Sequence, residues 1–209
     1  MIRVQAITVL VAWISISTGA AGDLGPLEPL ADFHRAVHES LGLPEPLIVQ
    51  LLERGAPEEH LPVIGLIAGR AGIAAESVFE LHRSGLSYLQ ISLRFGFGPE
   101  IFYVPMAADP GPPYGKAWGY YKKTPRARWN TIVLSDADIV HLANLRLCVD
   151  RYGVSAERVV SLQKAGKGFA TIHGELAREP GRSAGKGKPN GGEQGKGKAK
   201  GKPKDKDRP

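Results

Sequence analysis

Residues 153–172 read GVSAERVVSLQKAGKGFATI. Gly153 and Gly166 bracket a stretch in which Val159 and Leu162 stand three positions apart, a spacing that puts two apolar side chains on one face of a helix. Ser155 suits the N-cap of that helix, and Glu157 falls in its first turn, where a negative charge meets the positive end of the helix dipole. Gly153 fits the left-handed position that closes a preceding helix, and Gly166 closes the short helix itself. A second helix follows and carries Ile172 inward. This is the outline of a helix-turn-helix, and the rest of the chain decides whether it reads DNA.

The stretch is one of three. GIAAESVFELHRSGLSYLQI at 72–91 aligns with it at an offset of 81 with no gap, matching Gly72, Ala75, Glu76, Val78, Leu81, Gly85 and Ile91. Upstream, Leu147 and Arg151 meet Leu66 and Arg70. A weaker copy, GLPEPLIVQLLERGAPEEHL at 42–61, lies at a further offset of 30 and keeps Gly42, Ile48, Leu51, Gly55 and Leu61. The shared pattern is a glycine and an aliphatic residue, a short amphipathic helix ending Leu-x-x-x-Gly, and an aliphatic residue in the next helix. Units recurring near 30 residues are the mark of helical hairpins. The spacing suits a stacked array and an irregular globule alike.

Between the second and third copies the chain holds 51 further residues. Their Pro, Gly and aromatic content, and the runs IFYV, AWGYY and NTIVL, predict short strands and a small β-rich insertion over 97–134. Ser135 then caps a helix running to about Tyr152, with Asp138 completing a capping-box variant. The fold expected is mainly α: three short helical-hairpin repeats in one domain over 23–180, with a small aromatic-rich β insertion.

The two ends differ in composition. MIRVQAITVLVAWISISTGAAGD opens with Arg3, continues with an apolar run over Val4 to Ile16, and ends in small residues, which is the order of a secretory signal peptide over 1–22. Export to the periplasm or the extracellular space follows, with no transmembrane span once the signal is cleaved. Residues 181–209 hold ten Lys or Arg, three Asp or Glu, and no aromatic, Val, Ile or Leu. Such a segment has no apolar area with which to offset chain entropy, so a disordered basic Gly/Lys tail is expected. The tail accounts for the positive balance, because residues 23–180 carry a formal charge of −2. Cys148, the single cysteine, excludes an intrachain disulfide and reads as a core thiol in step with Leu142 and Leu145.

The repeat, the GKAWGYYKK element and LSDADIVHLANLRLCVDRYGVSAERVVSLQKAGKGFATI resemble exported bacterial proteins of uncharacterised helical-hairpin families, over roughly residues 30–178. That resemblance implies no activity and carries no functional residue across.

Four chemistries have candidate residues in the chain. DNA reading needs basic or amide side chains on the second helix. The candidates FATIHGELARE, YLQISLRFG and EEHLPVIGLIAGR are mainly apolar or acidic, so no sequence-specific nucleic acid is expected. Ser161 and Lys164 match S-x-x-K, but their counterparts Glu80 with Arg83 and Gln50 with Glu53 mark them as variable surface positions. His34 and His38 are one turn apart beside the apolar stripe of Leu30, Phe33, Val37 and Leu41, and read as a bordering pair, with no metal or cofactor implied. The aromatic insertion is the best binding candidate: Tyr114, Lys116, Trp118, Tyr120, Tyr121, Lys122 and Lys123, with Arg126, Arg128 and Trp129 beside them. In a strand, Trp118 and Tyr120 share one face and Tyr121 takes the other.

These readings predict a non-enzymatic interaction or structural protein of the cell envelope or periplasm, with no catalytic residue. Its expected partners are anionic envelope polymers or lipids, contacted through residues 181–209. The alternative is a cell-wall or polysaccharide-acting enzyme that uses the aromatic insertion as a cleft, with Glu100 or Asp109 as a carboxylate.

Overall fold

The computed structural model describes residues 31–179; the signal peptide expected over 1–22 and the disordered basic tail expected over 181–209 lie outside them. Nine α-helices follow in order: α1 (Asp32–Leu41), α2 (Glu45–Glu53), α3 (Leu61–Ala71), α4 (Ala75–Arg83), α5 (Tyr88–Arg94), α6 (Gly115–Lys123), α7 (Asp136–Tyr152), α8 (Ala156–Lys164) and α9 (Phe169–Arg178). Short 3-10 turns stand at Glu58–His60, Pro99–Phe102 and Arg126–Thr131. The described residues contain no strand.

The three copies share a common helical frame, with a 3-10 turn at Glu58–His60 opening the second helix of the first copy. The first helices of the hairpins, α2, α4 and α8, begin and end at positions related by the sequence offsets, and α5 and α9 start at equivalent residues. Each leading glycine closes the helix before it in the left-handed region: Gly42, Gly72 and Gly153 at φ 71, 65 and 61°. The repeated leucine has two uses. Its side chain turns inward, and its carbonyl accepts the backbone N–H five residues on: Leu51 from Ala56 at 2.9 Å, Leu81 from Leu86 at 3.3 Å, Leu162 from Lys167 at 3.2 Å. Gly55, Gly85 and Gly166 lie inside those loops with positive φ, as this terminus requires. Ile48, Val78 and Val159 are fully buried, as are Leu61, Ile91 and Ile172 in the following helices.

The hairpins close into one core and do not extend as an array. The central α7 packs against α1, α3, α5, α8 and α9, while α9 returns to pack on α1. Helix α3 comes so close to the end of α1 that a Cβ on Gly65 would stand 2.7 Å from Leu43 Cδ1 and 3.0 Å from Leu41 Cβ. Ser135 caps α7 as expected: its hydroxyl accepts from Asp138 N at 3.2 Å, and Asp138 Oδ2 accepts from Ser135 N at 3.0 Å. No single helix among the described residues is long and apolar enough to cross a membrane.

The β-rich insertion is corrected: residues 97–134 are helix and loop. AWGYY lies inside α6, where Tyr114, Ala117 and Tyr121 turn inward together, a spacing of three and seven that only a helix gathers on one side. IFYV begins in a 3-10 turn, so the adjacent Ile101 and Phe102 both reach the core. NTIVL ends in extended backbone with Ile132 and Leu134 buried and Val133 75% exposed. That alternation is real, but the segment has no partner strand. Its apolar side chains seal against helices instead.

Candidate functional site

The residues put forward for binding divide into two sets. Tyr114 and Tyr121 are buried anchors. Tyr114 donates its hydroxyl to Gln163 Oε1 on α8, and Tyr121 donates to the Pro99 carbonyl at 2.6 Å. Burial pushes both phenols far above their usual range. Trp118 is half-buried, with its indole N–H 3.4 Å from the Met106 carbonyl. These three rings fasten α6 and the preceding loop to the helical core, and none offers a free face to a large ligand.

The second set faces solvent. Lys116, Tyr120, Lys122 and Lys123 are exposed. On the helix, Lys116, Tyr120 and Lys123 are spaced by four and three and share one side, so the tyrosine stands between two ammonium groups. Helix α6 is joined to the 3-10 turn Arg126–Thr131 by a ring cluster. Tyr103, Tyr121 and Trp129 have centroids 4.6–5.1 Å apart, and the Arg126 guanidinium lies over Trp129 at 5.2 Å. The Trp129 indole donates to the Thr124 carbonyl at 3.0 Å and closes the link. Arg126 and Arg128 are thereby held beside the α6 lysines. Residues 111–135 contain these five Lys and Arg and no Asp or Glu, and none of the five is ion-paired among the described residues.

A cleft of about 160 Å³ lies between α8 and the loop before α6. Val160, Ser161 and Lys164 of α8 face Met106, Asp109 and Pro110 of the loop, with Glu157 at one end. The S-x-x-K pair and one candidate carboxylate thus meet, a juxtaposition no local pattern displays because the loop is fifty residues upstream. The carboxylates serve the loop: Asp109 Oδ1 accepts from Gly111 N at 2.8 Å, and Glu157 Oε1 accepts from Ala107 N at 2.9 Å. The Ala107 bond holds Glu157 below the usual carboxylate range. Ser161 donates to the Arg158 carbonyl at 2.7 Å, and Lys164 has no partner among the described residues. Glu100, the other carboxylate, accepts from Gly98 N in its own turn.

His34 and His38 do not converge: His34 Nε2 is 2.7 Å from Glu58, and His38 Nδ1 is 2.8 Å from the Leu43 carbonyl. No group of three metal-ligating side chains stands together among the described residues. Two further clusters have no signature in the sequence. His82 stacks on Tyr88 at 4.1 Å while His60 hydrogen-bonds the Tyr88 hydroxyl at 2.8 Å. In the core, His173 bridges the Cys148 thiol at 3.3 Å and the Tyr152 hydroxyl at 2.9 Å. Both join residues from separate helices, and neither has a spacing of its own.

Compared with known proteins, the chain matches no family model, no curated protein and no solved structure.

Proposed function

We propose that this is an exported, non-enzymatic interaction protein of the cell envelope or periplasm, which holds an anionic polymer on the cationic face formed by α6 and the turn after it. The observation that carries the reading is the acid-free run 111–135, with its five unpaired cations and exposed Tyr120. Residues 31–179 hold sixteen basic and sixteen acidic side chains, so the separation of charge is local and not a matter of net balance. A polyanion gains from such a face by charge and by contact of a ring with the aromatic side chain. The basic segment 181–209 adds a second cationic contact, and the apolar N-terminal segment supports export.

The enzyme alternative has less behind it. Tyr114, Tyr121 and Trp129 are buried, Tyr120 stands exposed on the helix surface, and no aromatic ring lines the cleft beside α8. The two carboxylates of that alternative are engaged locally: Glu100 accepts from Gly98 N at 2.9 Å and Asp109 from Gly111 N at 2.8 Å, each within its own turn. Elution from immobilised heparin tests the proposal. The double variant Lys122→Glu with Lys123→Glu should elute at clearly lower salt than the natural chain, and removal of residues 181–209 should lower it further. Unchanged elution of the double variant would assign all polyanion contact to the tail and end the case for α6.

A further inference from the structure

The repeat supplies an internal control for the cleft beside α8. Val160, Ser161 and Lys164 correspond to Phe79, Glu80 and Arg83 of α4. In the α4 copy the face is filled from within the protein. Phe79 is 3% exposed beneath the guanidiniums of Arg54 and Arg83, 5.8 and 5.7 Å from its ring. Glu80 pairs with both arginines. In the α8 copy the ring has shrunk to valine and the carboxylate to a hydroxyl, while the cation has been kept. The inserted loop stands over that face, and the space between is the cleft. Lys164 is therefore left without the carboxylate, and Val160, Met106 and Pro110 without the ring, that the sister copy carries itself.

A ligand that restores both is an apolar acid, and the cleft's own carboxylates define it further. The Lys164 ammonium lies against Gly111, where an added Cβ would stand 3.8 Å from Nζ; Asp109 Oδ1 accepts the N–H of that same glycine. Cation and anion thus flank one end of the cleft, with the apolar wall at Val160. Adjacent opposite charges beside an apolar surface are the complement of an α-amino acid head group with a hydrophobic side chain. A bare carboxylate would meet the charge of Asp109 unrelieved. We infer that the cleft binds a free α-amino acid with an aromatic or large aliphatic side chain: carboxylate on Lys164, ammonium on Asp109, side chain on Met106, Pro110 and Val160.

Titration of the full chain with phenylalanine, followed by amide NMR shifts, tests this. Shifts should saturate around Gly111 and α8 by about 10 mM, as a Kd of about 1 mM requires. N-acetylphenylalanine and phenylalanine amide, each lacking one charge, should bind about tenfold more weakly or worse. Two variants copy the sister repeat into the cleft. Val160→Phe fills it, and Ser161→Glu, at an exposed position, gives Lys164 an internal partner; either should abolish the shifts. No shift at about 10 mM, or saturation unaltered by Ser161→Glu in a folded variant, would overturn the site. Equal binding of N-acetylphenylalanine would overturn the role of Asp109.

Discussion

His173 has both ring nitrogens engaged and no exposed surface, between Cys148, Tyr152 and the edge of Phe33. Burial, with the Arg151 charge nearby, pushes it from 6.5 to about 4. The same burial raises the Cys148 thiol to about 12, so both groups are neutral at physiological pH. The consequence for stability has a definite sign. Between pH 6.5 and 4 the unfolded chain takes up a proton that the folded chain refuses, so stability falls as the pH is lowered through that window. The limiting loss is about 3 kcal/mol. Burial and neighbouring His82 also lower His60, which acts in the same direction. Urea midpoints measured from pH 7 to pH 4 should fall steadily, and the slope should be shallower in His173→Gln. A natural chain with a flat profile would contradict the neutral buried imidazole. The sequence placed Cys148 in the core correctly, but nothing local paired it with a histidine 25 residues on.

Helix α6 shows how period decides meaning. In GKAWGYYKK the rings fit two templates. As a strand, Trp118 and Tyr120 would lie together; as a helix, Tyr114, Ala117, Trp118 and Tyr121 do. Three aromatics favour the strand by propensity, at stakes of only about 1 kcal/mol, while the two glycines weaken either template. Burying Tyr114 and Tyr121 with bonded hydroxyls outweighs that. The two templates make opposite predictions for adjacent residues. Tyr121→Ala should cost about 3 kcal/mol, because a large buried side chain leaves a cavity. Tyr120→Ala should change stability by less than about 0.5 kcal/mol. Thermal denaturation of the two variants measures both, and comparable losses would restore the strand. The glycine-closed ends of α1, α3 and α7 needed no such arbitration. Positive φ at Gly42, Gly72 and Gly153 is a local demand that glycine meets and most residues resist, so those boundaries were legible to the residue.

For the molecule as a whole, α7 is the pivot and α1 with α9 the closure. Arg178 at the end of α9 lies 3.9 Å from Asp32 at the start of α1, so the first and last helices of the described segment meet at their outer ends. The core residues form one contiguous cluster drawn from all three copies and the insertion. Removing residues 181–209 should therefore leave the thermal midpoint unchanged. Removing everything after Gly153 strips α8 and α9 from α7 and α1, and that chain should show no cooperative transition by calorimetry. A cooperative transition in the shorter chain would mean that the hairpins fold as separate units.

Residue types alone determined where the hairpins begin and end, which aliphatic side chains turn inward, where Ser135 starts the long helix, and how charge is distributed along the chain. Each is a local matter: a left-handed φ, a cap, a three-residue spacing, a count of side chains. Tertiary structure decided the rest. It closed three hairpins on α7, turned an aromatic run into a helix with two buried rings, and brought a loop against α8 so that Asp109 faces Lys164. Packing is a contest among distant apolar surfaces for the same core, and the winner depends on shapes that no short window of sequence contains.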